Sequence, residues 1–121
     1  MLTFMRKVIF YKTESGDSPV QEFLYSLTVK NRKKIAWVLG AVRDLPFVHR
    51  DYFKKLTGTD NIWEVRIVSG NDTFRLLGFM EKGNLVILTN GFVKKTERTP
   101  PSEIALAEKR KKDYESRRRN G

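Results

Sequence analysis

Apolar and polar positions along this chain change period from one segment to the next, and the changes mark its elements. From Lys7 to Lys12, Val8 and Phe10 alternate against Ile9 and Tyr11, which predicts a first strand. Ser18-Pro19-Val20-Gln21 then opens a helix, with a serine cap, proline at the first helical position and glutamine three residues after the cap. Val20, Phe23, Leu24 and Leu27 follow at helical spacing. Thr28 caps a second helix that reaches Asp44 or Leu45, buries Ile35, Val38, Leu39 and Val42, and stops at Pro46. From Ile62 to Pro100 the period becomes two, and three antiparallel strands are predicted, joined by turns at Ser69-Gly70-Asn71-Asp72 and Glu81-Lys82-Gly83-Asn84. Thr99, before Pro100, caps a last helix with Ile104, Ala107 and Tyr114 on one side. Leu56-Thr57-Gly58 carries a short strand or a turn.

The first of these turns has a chemical consequence. A two-residue loop at Gly70-Asn71 sets Ser69 opposite Asp72, Ile67 opposite Phe74 and Arg66 opposite Arg75. Two arginines then stand side by side on one face, a destabilising arrangement. At about 5 Å and an effective dielectric near 20 the repulsion is on the order of 3 kcal/mol before screening. Such a pair points to an anionic ligand. A two-residue second turn adds Asn90, Phe92 and Lys94 to the arginine face, whereas a three-residue turn reverses that assignment. The opposite face carries Trp63, Val65, Ile67, Phe74, Leu76, Met80, Leu85, Ile87 and Val93, and is the expected core.

Composition narrows the functional classes. At 121 residues the chain makes one domain, 1–121. It has no cysteine and one histidine, His49, so thiolate zinc sites and disulfides are excluded and no metal or other cofactor is expected. No apolar run reaches the roughly 20 residues of a membrane span. The N-terminal MLTFMRKVIFYK alternates like a strand and shows no signal-peptide cleavage site, so the cytoplasm is the expected location. The net charge of +10, from 24 basic and 14 acidic residues, calls for a polyanionic partner such as nucleic acid rather than a membrane. Basic residues gather at Lys30 to Lys34, at Lys54 and Lys55, from Lys94 to Arg98, and along the last helix to Arg119.

No Ser-His-Asp or Cys-His set exists for acyl chemistry, and one histidine excludes a two-histidine ribonuclease. Guanidinium and ammonium groups remain, with Glu64 two residues before Arg66 and hence on its face. Arginine binds phosphate bidentately, and an aromatic such as Phe92 stacks a base. RNA carries its own nucleophile, the 2′-hydroxyl. A protein that places it in line and neutralises the developing charge therefore needs no metal. A lysine among cations, Lys94 or Lys95, or else Glu64, is the candidate general base.

LTGTDNIWEVRI, FRLLGF and GFVKKTERTPPSEIALAEKR occur in this order and spacing. With these stretches the chain resembles the RelE/ParE toxin superfamily and, within it, phage-derived HigB-type toxins. The resemblance implies an α+β, RelE-like fold. An antiparallel meander would carry an N-terminal helical hairpin packed on it, followed by a C-terminal helix. It also implies a toxin of a type II toxin–antitoxin system, an mRNA interferase that cuts messenger RNA on the ribosome through 2′-hydroxyl attack. A helix-turn-helix, HigA-like antitoxin would be its partner. Carried over by position, Arg66, Arg75 and Lys94 are catalytic, and Lys54, Lys55, Phe92, Lys95 and Arg98 bind RNA or the ribosome. Two departures stand out: Gly78 occupies a place where relatives often carry an aromatic, and no tyrosine lies near the basic cluster. Two other functions fit the same charge pattern. One is a gyrase-poisoning toxin of the ParE kind without nuclease activity, the other a non-catalytic RNA- or ribosome-binding module.

Overall fold

A computed structural model describes residues 5–120; the first four positions of the strand-like N-terminus lie outside the described residues. The elements are β1 (Lys7–Phe10), α1 (Pro19–Tyr25), α2 (Val29–Asp44), β2 (Phe53–Lys55), β3 (Ile62–Ser69), β4 (Asp72–Glu81), β5 (Leu85–Val93) and α3 (Pro101–Asn120). The strands form one sheet in the order β1-β5-β4-β3-β2. The fold is α+β with a largely antiparallel sheet, and is consistent with the RelE-like architecture that the resemblance implies. Only β1 runs parallel to its neighbour β5, at the sheet edge.

Local chemistry accounts for most boundaries. Ser18 Oγ accepts from the Gln21 amide at 3.3 Å and Thr28 Oγ1 from the Asn31 amide at 3.2 Å, so both expected caps satisfy open helix donors. Gly70, at φ +62°, supplies the left-handed residue of the β3–β4 turn. The Gly70-Asn71 loop gives the expected register, Ser69 opposite Asp72 and Arg66 opposite Arg75.

The second hairpin differs from expectation in two ways that cancel. Glu81 pairs with Leu85, so its loop has three residues, Lys82 to Asn84, rather than two. Ile87 and Leu85 therefore lie in the core under α3, not on the face with Trp63 and Val65. A bulge then restores the parity: Gly78 pairs with Leu88 but Leu77 pairs with Asn90, leaving Thr89 as the extra residue. The Thr89 hydroxyl sits 3.2 Å from the Leu77 carbonyl and 2.6 Å from Asn90 Oδ1, holding the bulge from inside. Beyond it Phe92 stands opposite Arg75. The bulge also explains Gly78, because a Cβ there would meet the Ile87 carbonyl oxygen at 2.1 Å. An aromatic at this position is incompatible with this backbone.

Apolar residues pack on both sides of the sheet. Val20, Ile35, Val38 and Val42 from α1 and α2 cover Val65, Ile67, Phe74, Leu76, Val86 and Leu88. On the other face α3 brings Ala107, Ile104 and Tyr114 against Ile62, Leu77, Phe79 and Ile87. Burial of such side chains contributes about 1.5–3 kcal/mol each, as an upper bound. Polar ties fasten α3 along its length. Tyr11 donates to Asp113 at 2.5 Å, Arg117 pairs with Asp113 and donates to the Lys12 carbonyl, Lys111 pairs with Asp60 at 2.9 Å, and Arg118 pairs with Glu81 at 2.5 Å. Burial, followed by the hydrogen bond to Asp113, pushes the Tyr11 phenol up, and the Tyr11 hydrogen bond holds the Asp113 carboxyl below its ordinary range. Among the described residues no helix is long and apolar enough to cross a membrane.

Candidate phosphate-binding cleft

The first turns of α3 leave the β2-side half of their sheet face open, and a cleft of about 280 Å³ lies there. Arg50, Lys54, Arg66, Arg75 and Lys94 supply its cations, Asp51, Glu64 and Glu97 its anions. β3 and β4 contribute through the Arg66–Arg75 pairing. β2 adds Lys54 directly opposite Glu64. Lys94 follows the end of β5, where its amide donates to the Thr73 carbonyl at 2.8 Å.

The two arginines have different surroundings. Arg75 is 5% exposed and its guanidinium is held inside the protein. Its Nη1 donates to Thr99 Oγ1 at 3.1 Å, its Nη2 to the Glu97 carbonyl at 2.9 Å, and its Nε lies 3.2 Å from Glu64 Oε1. The Nε–H is misaligned for a hydrogen bond with that oxygen and has no other protein acceptor. Thr99 Oγ1 in turn donates to Glu64 Oε1 at 3.0 Å. Glu64, Arg75 and Thr99 thus form a closed network that clamps the 97–99 loop onto the sheet. Thr99 is not the cap of α3: the helix begins at Pro101, so Pro100 holds the cap position and its carbonyl accepts the Glu103 and Ile104 amides of the first turn. The Thr99 hydroxyl is engaged by Arg75 and Glu64 on the sheet.

Arg66 is half-buried, lines the cleft, and its side chain has no hydrogen bond or ion pair among the described residues. The repulsion expected between the arginines is relieved on one side only: Glu64 neutralises Arg75 and leaves Arg66 without a counter-charge. Lys94 is mostly buried, with its ammonium 3.3 Å from the exposed Glu97 carboxylate.

The remaining sequence candidates disperse. Lys55 stands opposite Trp63, on the other face from Lys54, and does not line the cleft. Phe92 is half-buried against the core under α3 and also lies outside it. Lys95 does not line the cleft but faces an adjoining depression with Asn71, Asp72 and Thr73, which shares Lys94 and Glu97 with it. Arg98 is exposed on the clamped loop, away from the cleft lining. Four residues escaped the sequence reading, among them Glu97, which lines the cleft from the loop before α3. Arg50 and Asp51 reach the cleft, and Tyr52, whose carbonyl accepts the Arg66 amide at 2.9 Å, shares an adjoining groove with Arg66. A tyrosine therefore does lie near the basic cluster. The pairing of β2 with β3 brings this segment in, and its only sequence signal is the apolar Phe53 within an otherwise polar stretch. Among the described residues no group of histidines and carboxylates could hold a metal ion.

Fold and cleft together define a small RelE-like α+β domain with an open cationic site. Residues 22–112, from α1 into α3 and including every cleft residue, match the family described as Phage derived protein Gp49-like (DUF891). The chain belongs to that family of phage-derived, RelE-like proteins. No curated protein matches it.

Proposed function

We propose that this protein is the toxin of a type II toxin–antitoxin system, a HigB-type endoribonuclease that cuts mRNA on the ribosome without a metal ion. The observation that carries this reading is Arg66, a cation without a partner among the described residues, in a cleft it shares with Arg50, Lys54 and Lys94. Membership of a phage-derived, toxin-like family supports it. In the proposed reaction Arg66 binds the scissile phosphate through its guanidinium fork and stabilises the charge of the pentacovalent transition state. The 2′-oxygen attacks phosphorus, the P–O5′ bond breaks, and a 2′,3′-cyclic phosphate and a 5′-hydroxyl result. A base in the cleft takes the 2′-proton, and water or the protonated base returns a proton to the leaving oxygen. Lys94, whose ammonium lies 3.3 Å from the exposed Glu97 carboxylate, and Glu64, whose Oε1 meets Thr99 and Arg75, are the candidates lining the cleft; Lys95 does not line it. Arg75 holds the 97–99 loop rather than the substrate. The protein acts in the cytoplasm and is neutralised by a helix-turn-helix, HigA-like antitoxin.

Expression of the wild type and of Arg66→Ala in a growing bacterium tests the reading. The wild type should arrest growth and generate new 5′-hydroxyl ends in translated mRNA, and the variant should do neither. Arrest without such ends, with purified gyrase losing supercoiling activity, would assign the protein to gyrase poisoning instead. Salt-sensitive RNA binding without cleavage would leave a non-catalytic module.

A further inference from the structure

Helix α2 carries two stripes. Ile35, Val38 and Val42 are buried on the sheet, while Lys34, Trp37, Ala41 and Leu45 recur at three- and four-residue spacing on a neighbouring side. With Phe47, Tyr52 and Val68 this second stripe encloses a groove of about 660 Å³. Trp37 is 70% exposed and Phe47 75%, a concentration of open aromatic surface that packing does not require. Lys34 places its ammonium 5.1 Å from the Trp37 ring centre. The groove also has an open backbone edge. Pairing between β2 and β3 ends at Phe53 and Val65, and the last bond across it joins the Arg66 amide to Tyr52. Alternation then turns the Val68 amide and carbonyl outward, with no strand among the described residues beside them.

Cleft and groove are continuous, since Arg66 and Asp51 line both. We infer that the groove is a nucleobase subsite, in which bases next to the phosphate bound at Arg66 stack on Trp37 and Phe47. This inference rests on the reading of the cleft as a phosphodiester site. Aromatic faces beside a cationic backbone track are what single-stranded nucleic acid requires, and Lys34 and Arg66 against the single carboxylate of Asp51 give the groove the matching charge. The edge at Val68 offers hydrogen-bond partners to base edges beside His49, whose Nδ1 already accepts from the Asp51 amide at 3.1 Å, which would make the site selective among bases.

Binding of a fluorescein-labelled, 2′-O-methylated single-stranded oligoribonucleotide, followed by anisotropy over a salt series, tests this. Trp37→Ala and Phe47→Ala should each weaken binding about tenfold while leaving the salt slope intact. Arg66→Ala should lower that slope by about one unit. In a Trp63→Phe background, checked for native circular dichroism, the oligonucleotide should quench the Trp37 emission. Wild-type affinity in both aromatic variants, with a normal Arg66 effect, would overturn the base subsite and leave the phosphate site standing. No effect of Arg66→Ala either would overturn both. Unchanged RNA binding together with loss of a sedimenting dimer in Trp37→Ala would give the groove to a second copy of this chain.

Discussion

Two halves of one sheet face treat positive charge in opposite ways. Under α3 the cations turned toward the sheet are all tied: Arg110 to the Thr89 carbonyl, Lys111 to Asp60, Arg117 to Asp113. In the open half Arg75 is tied just as firmly, yet Arg66, directly opposite it on the ladder, is not. The difference separates building material from a site. On the proposed reading, arginine count and even arginine adjacency do not mark the anion site; the arginine left without a partner among the described residues does.

The strongest way to break this comparison is to remove the clamp. Arg75→Ala leaves Glu64 buried without its counter-charge and should cost about 3–5 kcal/mol of stability in urea unfolding. The Glu64→Leu/Arg75→Met double variant should recover most of that loss, because an apolar pair replaces a buried ion pair at little cost. A fully stable Arg75→Ala would show that the network is not structural. Arg66→Ala should behave oppositely: RNA cleavage falls about 10²–10³-fold, the loss expected of one transition-state donor, while unfolding free energy stays within about 0.5 kcal/mol. Equal stability losses in the two single variants would erase the distinction.

A smaller effect probes the bulge that carries β5 back onto the cleft side. Gly78→Ala drives a methyl into the Ile87 carbonyl and should destabilise by about 1–3 kcal/mol, with part of the activity lost as Lys94 shifts. The smallest concerns pH. Asp113 titrates below its ordinary range in the folded protein, chiefly through the Tyr11 hydrogen bond. Its contribution is therefore present above about pH 4, where the unfolded carboxyl is ionised, and is lost as pH falls through the lower folded value. Asp113→Asn should flatten the acid limb of stability, compared by urea midpoints at about pH 7 and pH 3, by a modest amount because the pair is partly exposed to solvent.

Local signals were legible where the chain acts on itself over a few residues. Ser18 and Thr28 cap their helices, and Gly70-Asn71 sets the register that pairs Arg66 with Arg75. The second hairpin was legible only in outcome: Lys82-Gly83-Asn84 resembles a two-residue turn, and nothing local announces the compensating extra residue at Thr89. Tyr52 and Trp37 were not legible as site residues, since what places them beside Arg66 is long-range packing of β2 and α2 on the sheet.

By itself the sequence determined the elements, the alternation of faces and the meeting of two arginines, because dihedral preference, capping and a two-residue turn act at short range. Tertiary structure decided which arginine is free. That choice depends on Glu64, Glu97 and Thr99 converging on Arg75 from β3 and from the loop before α3. Burial then makes the pairing obligatory, since a charge withdrawn from water requires a partner, whereas Arg66 stays in reach of solvent.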